Sequence, residues 1–231
     1  MKKFWLISVV LGTIWLTGCE NAKEDNHAPP KISVDKQKID KEKMTTTEHD
    51  NAPIPLVLTQ EQKEQYYKEY TSIVNQINGK YQTDFEINPI HTFSGDDWLE
   101  LKDFEDMLKG RIDSSFVMVD NKEVHPPGAA PKLVELHIGK NKTIIRINGS
   151  FDTQLSANTP EGRQLFSALH ALTSEIEQGD GKWTQTGYDP LMIDEGRVYY
   201  ITVGGYYSFN GVSSPHNFEI EYYCNENGGI T

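Results

Sequence analysis

Arg197-Val-Tyr-Tyr-Ile-Thr-Val-Gly-Gly-Tyr-Tyr-Ser-Phe209 repeats on a period of two, with Tyr199, Ile201, Val203, Tyr207 and Phe209 on one face. Alternation of this kind marks a strand with one side in a core and one side outside it. Gly204-Gly205 in mid-strand predicts a bulge or a close backbone approach. Asn210-Gly211 then signals a tight turn, and Asn217–Cys224 resumes the alternation with Phe218, Ile220, Tyr222 and Cys224 on one side. The C-terminal third of the chain therefore reads as antiparallel sheet.

Working outward, the same period recurs. Lys132–Ile138 and Thr143–Asn148 flank Gly139-Lys140-Asn141-Lys142 as a β-hairpin, Trp183–Tyr188 is a further strand, and Phe116–Val119 a short one. Three stretches have helical spacing instead. Thr59 with Gln62 forms a capping-box pattern ahead of Tyr66, Tyr67, Tyr70, Ile73, Val74 and Ile77, predicting a helix over 60–78 stopped by Gly79. Ser94 with Asp96 and Asp97 opens a second over 96–109, striped by Trp98, Leu101, Phe104 and Leu108 and closed by Gly110. Thr159-Pro160-Glu161 starts a third over 160–178, with Leu165, Leu169, Leu172 and Ile176 on one face. The expected fold class is α+β: a single domain over 58–231 with a largely antiparallel sheet and about three helices, preceded by a disordered tether.

The bulk properties fit one such domain. The chain has 231 residues with 22 basic against 34 acidic side chains, a formal charge of −12. Its mean hydropathy of −0.57 excludes a polytopic membrane protein. The negative charge argues against a nucleic-acid partner, which would need a basic surface to displace phosphate counterions.

The N-terminus carries an address. Met1-Lys2-Lys3 is a short basic segment, and Phe4–Leu16 (FWLISVVLGTIWL) is an uncharged apolar run of 13 residues. As a helix it would span about 20 Å, short of a hydrocarbon core of ~30 Å, so it reads as the apolar region of a signal peptide. Leu16-Thr17-Gly18-Cys19 follows: an aliphatic residue, two small residues and a Cys. In these nineteen residues the chain resembles bacterial lipoprotein precursors, whose lipobox has this pattern at all four positions. The resemblance implies diacylglyceryl transfer to the Cys19 sulfur, cleavage after Gly18, N-acylation of Cys19, and residence on the extracytoplasmic face of the cell membrane. Two or more acyl chains suffice for stable anchoring at ~0.8 kcal/mol per buried CH₂. Cleavage removes Lys2 and Lys3 and makes the side-chain charge −14.

Residues 19–57 are the tether. Glu20–Pro55 is rich in Lys, Asp, Glu, Asn and Thr, holds Pro29, Pro30, Pro53 and Pro55, and offers too few apolar side chains to offset the entropy of ordering. As a coil it reaches roughly 30–35 Å.

Catalytic signatures are missing. Of the seven histidines, His27 and His49 lie in the tether; His91, His125, His137, His170 and His216 belong to the domain, and none pairs at i, i+4 on a predicted helix. With Cys19 acylated, Cys224 is the remaining thiol, and its company of Phe218, Ile220 and Tyr222 predicts a buried, inert one. Asp96, Glu100 and Asp103 share a face of the second predicted helix, where a solvated acidic face is the expectation. No G-x-S-x-G or EF-hand loop occurs. No catalytic residue, metal ligand or cofactor is assigned. Tyrosine stands out, because six of the eleven fall as doublets on the two C-terminal strands. Adjacent strand residues face opposite ways, so Tyr199, Tyr207 and Tyr222 go to the core while Tyr200, Tyr206 and Tyr223 form an outward, candidate binding face.

The expected function is a lipid-anchored, non-enzymatic domain that binds a protein, peptide or glycan at the cell envelope. The alternative is an envelope wall hydrolase built from carboxylates or histidines outside any known motif. The tether reading has a direct check. Limited proteolysis of residues 19–231 is expected to cut between Glu20 and about Pro55 and leave a stable fragment starting near Leu56. Protection of that stretch to the level of the helices would refute it.

Overall fold

The computed structural model describes residues 54–120, 122–139, 141–157 and 162–231. The lipobox, Cys19, the apolar run before it, the tether up to Pro53, and Thr159-Pro160-Glu161 lie outside the described residues. The chain is already packed by Leu56: its N–H donates to the Trp98 carbonyl at 2.6 Å, and Leu56 and Leu58 lie against the helices.

Among the described residues there are two α-helices and eight strands. Helix α1 is Gln60–Tyr81 and helix α2 is Leu101–Ile112, with strand β1 (Glu86–Ile87) between them. Then follow β2 (Ser115–Met118), β3 (Ala130–Ile138), β4 (Asn141–Leu155), β5 (Gln164–Gln178), β6 (Lys182–Ile193), β7 (Val198–Phe209) and β8 (Val212–Tyr223). They form two four-stranded antiparallel sheets, one in the order β1-β8-β7-β6 and the other β2-β3-β4-β5. The fold is α+β, and the single expected sheet is two sheets sharing one core. That core contains Val134, Leu136, Ile145, Ile147 and Phe151 from one sheet with Ile201, Val203, Phe218, Ile220 and Tyr222 from the other, all buried.

The helices build a second core. Thr59 caps α1 through the reciprocal bonds of a capping box, as its spacing predicts. Tyr70 stacks on Phe104 with ring centroids 3.8 Å apart, and its hydroxyl exchanges hydrogen bonds with both main-chain groups of Leu99. Neither predicted glycine stop operates. Helix α1 passes Gly79 and ends where Gln82 turns left-handed (φ 57°) and donates to the Asn78 carbonyl, and α2 passes Gly110. The 96–109 helix is divided: Ser94 and Asp97 cap a 3₁₀ turn over Gly95–Asp97, and α2 starts only after Glu100.

The third predicted helix is a strand. Facing residues in β4 and β5 show why: Thr153 opposes Phe166, Phe151 opposes Leu169, Gly149 opposes Leu172, Ile147 opposes Ser174 and Ile145 opposes Ile176. Register shifts fall between Asp152 and Thr153, between Ser150 and Phe151, and between Ile144 and Ile145, leaving Ser167, His170 and Glu177 without an opposite residue. Each bulge adds a residue, so the core-facing positions 166, 169 and 172 come three apart and imitate a helical stripe. Sheet B, the β2-β3-β4-β5 sheet, thus absorbs what periodicity assigned to a helix.

The β7–β8 hairpin joins the two cores. Asn210 and Gly211 both have positive φ (47° and 70°), as a two-residue hairpin turn requires, and the Phe93 ring from the helical layer packs where a Gly211 side chain would be. Gly205 likewise leaves room for the Trp183 indole, and a register shift lies opposite it between Gln185 and Gly187. The predicted close approach and bulge both occur. Arg111, buried near the end of α2, donates to the carbonyls of Val212 (2.9 Å) and Phe209 (2.6 Å) and lies 5.6 Å from the Tyr207 ring centre. Replacing it with Ala removes both charge-assisted bonds and opens a cavity between the cores. Arg111→Ala is expected to lower unfolding free energy by about 2–4 kcal/mol in urea titrations, with Arg111→Lys recovering less than half, since an ammonium cannot reproduce the fork.

Candidate functional site

The hairpin fixes which tyrosines face outward. From the Phe209–Val212 pair the register runs unbroken to Val198–Tyr223. Tyr199, Tyr207 and Tyr222 are buried, while Tyr206 and Tyr223 are exposed and Tyr200 is half-buried on the opposite face. The three candidates do not form one patch. Tyr200 pairs with Glu221, two residues from Tyr223, so those two rings are neighbours. Tyr206 lies six residues along β7, roughly 20 Å away.

Tyr200 and Tyr223 border a groove of about 370 Å³ that also takes in Met118, Asp120, Lys132, Glu219 and Glu221. The Tyr223 hydroxyl donates to Glu221 Oε2. Hydrogen bonding to Glu219 raises the Tyr200 phenol, and hydrogen bonding to Glu221 raises that of Tyr223, so both stay protonated donors at neutral pH. The Lys132 ammonium sits 5.3 Å over the Tyr222 ring; burial lowers its pKa, and Glu221 and Asp120 pull it back up. The groove is an aromatic and mostly acidic rim on an apolar floor. That combination can hold a cation or an extended chain; it places no base beside a nucleophile. Sequence reasoning found the two tyrosines by parity. It missed Glu219 and Glu221, which share that parity, and it missed Met118, Asp120 and Lys132, which arrive from sheet B some hundred residues earlier.

The other candidates disperse. Asp96 lies on the 3₁₀ turn, Glu100 precedes α2 without a side-chain capping bond and Asp103 sits in its first turn, so the expected acidic helix face is not formed. His170 is a bulged residue of β5 rather than part of a helix, 2.7 Å from Asp152. His137 lies 2.9 Å from Glu135, which also holds Lys142. His125 is fixed through its main chain to Ile230, with its buried Nε2 4.0 Å from Glu123. Among the described residues no three His, Cys, Asp or Glu gather as a metal site. Cys224 is 2% exposed, and burial raises its thiol pKa, so it is a core thiol. No family model, curated protein or solved structure matches the chain.

His216 has a thermodynamic signature of its own. It faces the core, 2.8 Å from Ser214 Oγ and edge-on to Phe116, and burial with help from the Arg111 charge lowers its pKa to about 4. The unfolded chain takes up this proton near pH 6.5 but the folded chain does not until about pH 4. Its contribution is therefore a loss of stability as pH falls from about 6.5 to 4, of roughly 2–3 kcal/mol. Urea titrations at pH 7 and pH 4.5 are expected to show a smaller difference in His216→Gln than in the wild type.

Proposed function

We propose that the chain is a lipid-anchored lipoprotein on the extracytoplasmic face of the cell membrane, and that its domain is a non-enzymatic binding module of the envelope. The anchor rests on Leu16-Thr17-Gly18-Cys19 behind a short apolar run. The binding role rests on one observation above others. Tyr200 and Tyr223 stand at an open groove with their hydroxyls engaged by Glu219 and Glu221. Aromatic side chains held in this way present apolar area with little rotamer entropy left to lose on binding. The tether then serves to carry the groove away from the membrane surface.

Two variants test the two halves. Cys19→Ala is expected to abolish metabolic labelling with palmitate and to leave uncleaved precursor or released protein. Membrane association at unchanged mass, with no acyl label on the wild type, would overturn the anchor. With the anchored chain as bait in solubilised envelopes, Tyr200→Ser/Tyr223→Ser is expected to lose retained partner at least tenfold while Tyr206→Ser keeps it. Equal retention by both would remove the groove from the binding role.

A further inference from the structure

Among the described residues, the outer side of β8 in the sheet β1-β8-β7-β6 is only partly paired. Strand β1 pairs only with Val212 and Ser213. At the far end Thr231 pairs with Tyr223 through main-chain bonds of 2.8 and 3.0 Å. Between these two covered ends, no strand among the described residues lies on the side of Pro215 to Glu221 that faces away from β7. The direction of its main-chain groups follows from the turn. Phe209 and Val212 close a two-residue hairpin, so even-numbered residues of β8 bond to β7 and odd-numbered ones point away. The same parity sends Ser213 to Glu86 and Tyr223 to Thr231. It leaves the N–H and C=O of Asn217, Glu219 and Glu221, and the C=O of Pro215, directed into the opening.

The opposite sheet is complete at this place. Its edge strand β2 pairs Phe116 with Leu136 and Met118 with Val134, both core-facing partners, so Phe116 and Met118 face the missing position. The Phe116 ring stacks on Phe218 at 4.8 Å, and Met118 is 38% exposed. Two adjoining hollows of about 390 and 370 Å³ run along the β8 edge and share Met118 and Glu219. One side of the opening is therefore apolar floor, and the other carries Glu219, Glu221, Tyr200 and Tyr223, with Asp120 and Lys132 across from them, so that three carboxylates face one ammonium.

We propose that this slot takes an extended segment of a basic partner protein as a fourth strand, its apolar side chains turned onto Phe116 and Met118 and its Lys or Arg side chains turned out beside Glu219 and Glu221. The inference rests on the domain being a binding module and gives its partner a chemistry. A row of main-chain donors and acceptors at strand spacing is what an added strand satisfies, and alternate pockets select its side chains. The charge selects against the simplest competitor. A second copy of this chain adding by the same edge would bring Glu219 and Glu221 against their own kind, which opposes pairing. A cationic segment meets two carboxylates and two tyrosine faces instead.

The probe is a fluorescein-labelled, end-blocked peptide of alternating Lys and Val, seven residues long, titrated by anisotropy into the full chain at about 150 mM salt. Binding is expected to weaken at least tenfold for Glu219→Lys/Glu221→Lys, with unchanged circular dichroism, and for a Glu-Val peptide. It is expected to weaken at least tenfold when the alternate peptide amides that would face β8 are N-methylated. Hydrogen exchange at Asn217, Glu219 and Glu221 should be fast in the free chain and slow with peptide. An N-methylated peptide that binds equally well shows adsorption by charge alone and overturns the proposal. So does slow exchange at those amides in the free chain, which means that the edge is already filled by another part of the chain or a second copy. Failure of the peptide while Tyr200→Ser/Tyr223→Ser still releases the envelope partner rejects the added strand and keeps the binding module; failure of both rejects both.

Discussion

The Arg111 guanidinium is the buried polar joint between the two cores, set beside the β1–β8 pairing and the Phe93 ring packed on Gly211. It is buried with no carboxylate paired to it among the described residues, and its charge is met by two carbonyls of the β7–β8 hairpin and by the faces of Tyr207 and Phe209. Burial pulls its pKa down to about 10, which still leaves it charged under ordinary conditions. The bonds fall on the residues that close the hairpin. Val212 belongs to the helical core and Phe209 packs on the sandwich core, so one side chain from α2 fixes the strand pair at its turn. From that turn the register runs the length of both strands and decides which tyrosines face outward. The candidate groove thus depends on a contact at the other end of the hairpin.

Both outer strands of the β7 sheet are managed where they lack neighbours. Pro190 on β6 and Pro215 on β8 occupy positions whose N–H would point away from β7, so neither removes a ladder bond and each deprives an incoming strand of a donor. The last part of β6 is exposed, with Tyr188, Leu191, Met192 and Ile193 at the surface, and Asp189 and Pro190 among them. On β8 the same duty falls to Glu219 and Glu221. A strand edge that rejects its own kind by charge is selective by the same charge.

Local signals were the ones that could be read from sequence. The capping box at Thr59–Gln62, the Asn210-Gly211 turn, the hairpin around Gly139 and the close approach at Gly205 are each decided by a few neighbouring residues, and each is found in the structure. The inward and outward sorting of the tyrosine doublets followed from strand parity alone. Helix stops at Gly79 and Gly110 failed because glycine there is merely permissive: the buried Arg111 carries α2 onward, and α1 runs on through the exposed Lys80 and Tyr81 to the left-handed Gln82. The groove was out of reach. Met118 and Lys132 belong to one sheet and Glu219 and Tyr223 to the other, and only the stacking of the sheets brings them together. Strand β5 misled for a different reason, since its bulges altered the very period being counted.

Those bulges give β5 a kind of slack in length. In an uninterrupted strand, losing one residue flips every later side chain to the wrong face. Ser167, His170 and Glu177 are surplus to the pairing; Ser167 and His170 lie between core-facing positions that would remain on the same side without them, and Glu177 follows the last of those positions, Ile176. Loss of any one of them would convert a bulge into regular ladder and leave Phe166, Leu169, Leu172 and Ile176 directed inward. The strand that most resembles a helix on paper is thereby the one whose chain length can vary most freely, with the sheet's curvature rather than its core absorbing the change.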